Sequence, residues 1–246
     1  MHAVVAAGGI ASDGLRAMGV ERVPLLRVGG ETILSRTCRQ LLAGGCEAVH
    51  VLAPDEVPLP EHSAVRRAHY SGAVVEDLLA CVATATAGDA VLVAGGDMPL
   101  LSSEAVAALA AAGQRGAVDL VYPIVARSLI EQRFAGSRRT YLRLRDGVYT
   151  GGNVFWLRRD WLLGQGPLLR ELFEQRKDVL AMARRFGLLF FLRVLTGWAS
   201  LRYLEHHLGH VVGGRLCAAV LPYPEIAADL DKVADLETFA AHLDQW

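Results

Sequence analysis

Ala3-Val4-Val5-Ala6-Ala7-Gly8-Gly9 reads as a buried strand closed by two glycines that let the backbone turn sharply and approach a ligand closely. The loop behind it, residues 10–21, is long enough to wrap a triphosphate. Outward from this turn the chain alternates. Thr32 to Leu42 has the apolar spacing of a helix stopped by Gly44-Gly45, Ala48 to Ala53 is a second strand, and Val74 to Ala87 is a helix ended by Gly88. Ala90 to Ala94 delivers a third strand into Gly95-Gly96-Asp97; Ser102 or Ser103 caps a helix to Ala112, and Asp119 to Val125 is a further strand. This is the rhythm of a sheet covered by helices.

The pattern changes after residue 126. Thr140 to Leu144 and Val148 to Thr150 flank Asp146-Gly147, a dipeptide that favours a hairpin because it tolerates positive φ. Asn153 to Arg158 reads as a return strand, Leu168 to Arg185 as a helix, residues 186–208 as one or two more helices, Leu216 to Leu221 as a strand and Asp235 to Leu243 as a last helix. With no internal repeat or low-complexity linker, residues 1–246 are expected to form one domain, with 126–210 as an elaboration on the acceptor side.

The chain has 246 residues, enough for a core without staples, and its 25 basic and 26 acidic residues leave a net charge of −1. That balance excludes a broad field for nucleic acid or an anionic surface, so basic clusters carry local meaning. Cys38, Cys46, Cys81 and Cys217 have no metal or disulfide spacing, and no basic leader precedes the first strand. A cytoplasmic protein is expected. Phe186 to Leu201 is too short and too interrupted, by Arg193 and Gly197, to span a bilayer. It is read as core, with an oligomer contact or shelter for a greasy acceptor as alternatives.

Asp97 follows an apolar strand, which puts a carboxylate at the C-terminal edge of the sheet, where open α/β folds bind ligands. Magnesium takes one or two carboxylates plus phosphate oxygens, so a second acid should converge on it, and Asp229 and Asp231 are the candidates. The bland alternative is that Asp97 caps a turn and Asp229 to Asp235 open the last helix. Neither GxxxxGK[ST] nor GxGxxG occurs at the first turn, which argues against a P-loop and an ordinary dinucleotide fold. Thr150-Gly151-Gly152-Asn153 offers hydrogen bonds and access to an acceptor, or is simply a β-bulge. Arg127, Arg133, Arg138, Arg139 and Arg143 form either an anion grip or a solvated face. The run His206-His207-x-x-His210 lacks a matching acid or cysteine set and is read as a surface or interface helix rather than a zinc site.

The ordered motifs AAGG (Ala6 to Gly9), PLLRVGGETIL (Pro24 to Leu34), VLVAGGDMPLL (Val91 to Leu101), TGGN (Thr150 to Asn153) and DLDKVADLE (Asp229 to Glu237) resemble the MobA-like nucleotidyltransferases over nearly the whole chain. The resemblance implies an α/β, Rossmann-like GT-A nucleotidyltransferase fold, with a mostly parallel sheet, helices on both faces and a β-hairpin and helical elaboration. It also implies Mg²⁺-dependent transfer of NMP from an NTP to a small phosphorylated acceptor, with release of pyrophosphate. Asp97 matches the metal-binding aspartate and Asp231 the second metal position, with Asp229 joining or orienting it. By the same resemblance Ala7, Gly8 and Gly9 are expected to face the base and phosphates, and the Ser71 to Asp77 segment, with Gly72, Glu76 and Asp77, to contact base and ribose. Thr150, Gly151, Gly152 and Asn153 lie on the acceptor side.

Related enzymes carry a lysine just before the PLL segment, where this chain has Val23. Arg16, Arg22 or Arg27 is expected to replace its charge, Arg16 and Arg22 foremost. The departure motivates an alternative, a nucleotide-binding protein that has lost catalysis. A second alternative, a GT-A glycosyltransferase, lacks its usual first aspartate in Gly95-Gly96-Asp97. Neither nucleic acid nor stable membrane insertion is expected, and a homodimer is left open.

Overall fold

The computed structural model describes residues 1–175 and 184–243. The part of the expected Leu168 to Arg185 helix from 176 to 183 lies outside them. A nine-stranded sheet is ordered β5-β4-β1-β6-β10-β7-β9-β8, with β11 paired to β7. Its strands are β1 (His2–Ala6), β4 (Ala48–Leu52), β5 (Val65–Ala68), β6 (Ala90–Gly95), β7 (Leu120–Ala126), β8 (Leu142–Leu144), β9 (Gly147–Gly151), β10 (Val154–Arg158) and β11 (Leu216–Val220). Only β9 and β10 run against the rest. The sheet is therefore mixed and mostly parallel, as expected.

Alternation along β1 builds two layers. Ala3 and Val5 face a core closed by α2 (Ile33–Ala43), α4 (Ser103–Gln114) and α10 (Val233–Leu243), while Val4 faces one closed by α3 (Val74–Ala85), α6 (Arg159–Gly164) and α7 (Gly166–Gln175). Thr32 caps α2 by accepting from the Ser35 amide at 3.1 Å, and Ser102 caps α4 by accepting from the Ala105 amide at 3.2 Å.

Three elements escaped the sequence reading besides the edge strand β5. They are the short hairpin β2 (Arg27–Val28) and β3 (Glu31–Thr32), and the helices α5 (Arg127–Arg133) and α6. A short helix, α1 (Asp13–Ala17), also interrupts the loop behind the first turn.

The hairpin β8–β9 extends the same sheet, and β9 runs on into β10 along one side of β7. Their registers against β7, Ile124 opposite Gly151 and Val121 opposite Trp156, differ by two residues, so Gly152 and Asn153 form a bulge. The Gly152 amide donates to the Pro123 carbonyl at 2.8 Å and the Asn153 amide to that of Ile226 at 2.9 Å. A third apolar cluster lies over this hairpin, where α8 (Leu188–Leu195) and α9 (Leu201–Val211) bring Phe190 and Leu204 onto Leu144.

The expectation of a core role for 186–201 needs correction. Phe190 is buried, but Leu188, Leu189, Leu192, Leu195 and Trp198 are exposed, because α8 has the sheet extension on one side only. Among the described residues no helix is long and apolar enough to cross a membrane.

Candidate active site

β1 and β6 are neighbours whose connections leave toward opposite edges of the sheet, which opens a crevice at their C-terminal ends. Gly8 and Gly9 leave β1 there. A side chain on Gly8 would overlap the Tyr70 ring, which stands at the end of β5. The Gly8 carbonyl accepts from Arg22 Nη1 at 2.6 Å and from the Tyr70 hydroxyl at 3.4 Å. The Ala7 amide is spent on the Leu52 carbonyl at 2.9 Å. The Ala7 amide is therefore not free for the contact expected of it, because the β1–β4 pairing already uses it.

Gly95-Gly96 shapes the other lip. The Asp97 carboxylate folds back over Gly95 into the space a Cβ would fill, and a Cβ on Gly96 would press on Ala7 at 2.8 Å. The Asp97 carbonyl accepts from the Leu230 amide at 3.0 Å, and Ser12 Oγ donates to the Asp231 carbonyl at 2.8 Å. Two loops more than a hundred residues apart in sequence are thus tied to one crevice. Burial, then the charges of Asp229 and Asp231, pushes the Asp97 carboxyl up to about 6. Partial burial and the charge of Asp229 also raise Asp231. Arg139 Nη1 donates to Asp229 Oδ1 at 2.8 Å, which leaves Asp97 and Asp231 as the pair short of cations.

Two cavities share Asp231. A small one of about 100 Å³ is lined by Gly9, Ser12, Val23, Pro24, Asp97 and Asp231. A larger one of about 680 Å³ takes Asp231 on its near wall, together with Asp229, Lys232, Arg138, Arg139 and Tyr141. Thr150, Gly151 and Asn153 line it too; Gly152, in the bulge, is not among its lining residues. A side chain on Gly151 would overlap the Tyr122 hydroxyl.

Other expected residues are placed differently. Asp77 is buried and accepts from the Ser71 amide and hydroxyl at 2.9 and 2.7 Å and from the Gly72 amide at 3.1 Å. It shapes the loop beside Tyr70 rather than pointing into it. Gly72 has φ +91°, which the turn requires. Glu76 pairs with Arg170 at 2.7 Å and so joins α3 to α7.

Val23 is buried beside Asp97, and the arginines expected to replace the lysine charge all have local partners. Arg16 pairs with Asp13 on α1, Arg27 donates to the Gly30 carbonyl at 2.8 Å, and Arg22, besides Gly8, reaches Glu56 at 3.0 Å. Of the five hairpin arginines only Arg138 and Arg139 line the cavity; Arg127 is held by Glu131 at 2.6 Å. His207 stacks on Phe190 with ring centres 4.5 Å apart, and His206 meets His210 at 3.3 Å. Among the described residues no group of three His, Cys, Asp or Glu side chains is set to hold a metal.

Tyr70, Tyr141 and Lys232 escaped the sequence reading. Lys232 could have been found, since it stands inside the DLDK stretch; the two tyrosines carry no local signal.

A crevice at the β1/β6 switch point, with a glycine turn on one lip and a carboxylate on the other, defines a nucleotide-handling α/β protein. The MobA-like NTP transferase domain matches residues 3–220, and the chain belongs to that family of nucleotidyltransferases. Among solved structures it is similar to a hypothetical transferase from Thermus thermophilus, at 32% identity and a TM-score of 0.84, over 96% of this chain and 98% of that one. Two more distant likenesses show the fold alone. A nucleotidyl transferase from Methanothermobacter shares 18% identity at a TM-score of 0.57, over 99% and 97% of the two chains. A CMP:2-keto-3-deoxy-manno-octonic acid synthetase complexed with CTP shares 14% at 0.63, over 99% and 98%. Among curated proteins none matches the sequence.

Proposed function

We propose that this chain is a Mg²⁺-dependent enzyme that transfers NMP from an NTP to a small phosphorylated acceptor and releases pyrophosphate. One observation carries the reading: Asp231 lines both cavities and Asp97 the small one, so phosphates in the small one and an acceptor in the large one would meet at Asp231 with Asp97 beside them. These two carboxylates fit a magnesium ion, because their charges are crowded and the residual oxygen ligands can come from phosphates. A magnesium ion held by Asp97 and Asp231 would supply neutralisation of phosphate charge and polarisation of the α-phosphoryl group.

The chain's own residues do the rest. The Gly8 and Gly9 amides receive the nucleotide, with Arg22 and Tyr70 holding the Gly8 carbonyl turned away from it. Arg138, Arg139 and Lys232 draw the acceptor phosphate into line. An oxygen of the acceptor phosphate bonds to the α-phosphorus as the bond to the β-phosphate oxygen breaks, and pyrophosphate leaves. A dianionic phosphate nucleophile has no proton to lose, so no protein base is needed.

Residues 1–246 act as one domain in this scheme, with 126–210 supplying the acceptor side. The setting is cytoplasmic, in keeping with four free cysteines and thiols at Cys38, Cys46 and Cys81 that burial pushes up to about 12, 12 and 11.

The test is pyrophosphate release from each of the four NTPs with a panel of phosphate monoesters, with and without Mg²⁺. Full metal-dependent turnover by Asp97→Ala overturns the mechanism. The buried Val23 beside Asp97 favours a second reading, a nucleotide-binding protein without turnover. It is recognised by an NTP-dependent rise in thermal stability with no pyrophosphate from any acceptor.

A further inference from the structure

The larger cavity has two chemically different ends. Toward Asp231 it is densely charged, with Arg138, Arg139 and Lys232 set among Asp229, Asp231 and Asp235, and Arg139 Nε and the Tyr141 hydroxyl are buried there without a hydrogen-bond partner. Its far wall is Leu142, Leu144, Leu201, Leu204 and Leu208. A polyhydroxylated acceptor would lose water against those leucines without regaining hydrogen bonds, whereas an alkyl body would gain from them.

The same wall continues outward. Leu144 and Leu204 pack on Phe190, the inward residue of α8, and the outward face of α8 carries Leu188, Leu189, Leu192 and Leu195, followed by Trp198, at 49–79% exposure. A water-facing helix puts polar residues on that side. Here α8 has no acidic residue, and exposed Arg184 and Arg193 flank or join it. Arg143 and Arg145 stand on the adjoining hairpin, where the Arg145 amide donates to the Ala199 carbonyl at 2.9 Å. An apolar face, a tryptophan at its end and a basic rim suit the headgroup region of an anionic bilayer.

We propose that α8 rests on an anionic bilayer and that the cavity behind it takes the phosphate monoester of an amphiphile as acceptor. The acceptor half rests on the transferase reading; the docking half does not.

Two measurements test it. Full-length protein is sedimented with vesicles of phosphatidylcholine alone and of phosphatidylcholine with phosphatidic acid, beside Leu189→Glu/Leu192→Glu, which alters only exposed positions. The wild type is expected to bind the anionic vesicles and the variant to bind them at least about tenfold more weakly, while keeping its NTP-dependent thermal shift. Pyrophosphate release is then compared for dodecyl phosphate and glucose 1-phosphate, with the former favoured by at least about tenfold in kcat/KM.

Absence of vesicle binding overturns the docking half. Self-association by light scattering that the variant loses, without vesicle binding, assigns α8 to a second copy instead. Preference for glucose 1-phosphate overturns the amphiphile while upholding transfer. Vesicle binding with no release from any acceptor counts against the transferase reading and upholds the docking.

Discussion

Asp97 is held where burial and two neighbouring carboxylates all disfavour its charge. Because its folded carboxyl titrates near 6 rather than in the ordinary aspartate range, the stability it contributes is present at acid pH and is lost as pH rises through about 6. Asp97→Asn is therefore expected to melt higher than the wild type at pH 7 in metal-free buffer, with the difference shrinking toward pH 4, as thermal denaturation across that range will show. The same change is expected to cost at least about 100-fold in metal-dependent pyrophosphate release. Arg139 is the complementary case, since its fork is what keeps Asp229 from adding a third uncompensated charge. Arg139→Ala should raise the acceptor KM by about tenfold, and Arg139→Lys should restore only part of it, because a single ammonium lacks the paired donors. The check is KM for acceptor and for NTP measured separately, with the NTP value little changed.

The elements show how local signals were combined. Ser102 was legible as a cap, and it does more than cap: its hydroxyl also donates to Glu225 Oε1 at 2.6 Å and so fixes the start of α4 to the turn before Asp229. Ser102→Ala is expected to cost about 1–2 kcal/mol in denaturant unfolding, the upper part of the range for a lost cap. The long strands were legible because both faces are buried and the sequence is apolar throughout. β5 was hidden because Val65-Arg66-Arg67-Ala68 is a charged edge strand whose pairing with β4 is set by the sheet, not by its own composition. α5 was hidden because it begins directly after β7 with no side-chain cap. The apolar run at 188–195 was legible as a helix, but not its orientation, since periodicity cannot say whether a partner covers the second face.

At the scale of the molecule, the sheet gathers what the chain disperses. His2 on β1 and His50 on β4 stack with ring centres 5.3 Å apart and nitrogens at 3.1 Å. Burial, then the charges of His2 and Arg66, holds His50 below its ordinary 6.5. The stability this contributes is present above the ordinary histidine value and is lost as pH falls through the lowered one. His50→Gln should therefore flatten the decline in melting temperature below pH 6.5, measured against the wild type at constant ionic strength. Apolar strand runs, glycine turns and the order of short motifs already implied the layered sheet, the glycine lip, Asp97 and Asp231, because those features are written in contiguous residues. Pairing of Arg139 with Asp229, ninety positions apart, the pressing of Tyr70 on Gly8, the loss of the Ala7 amide to Leu52 and the bare outer face of α8 depend on which segments the fold brings together. Contacts between distant segments leave no periodic trace, so these were decided only when the strands took their places.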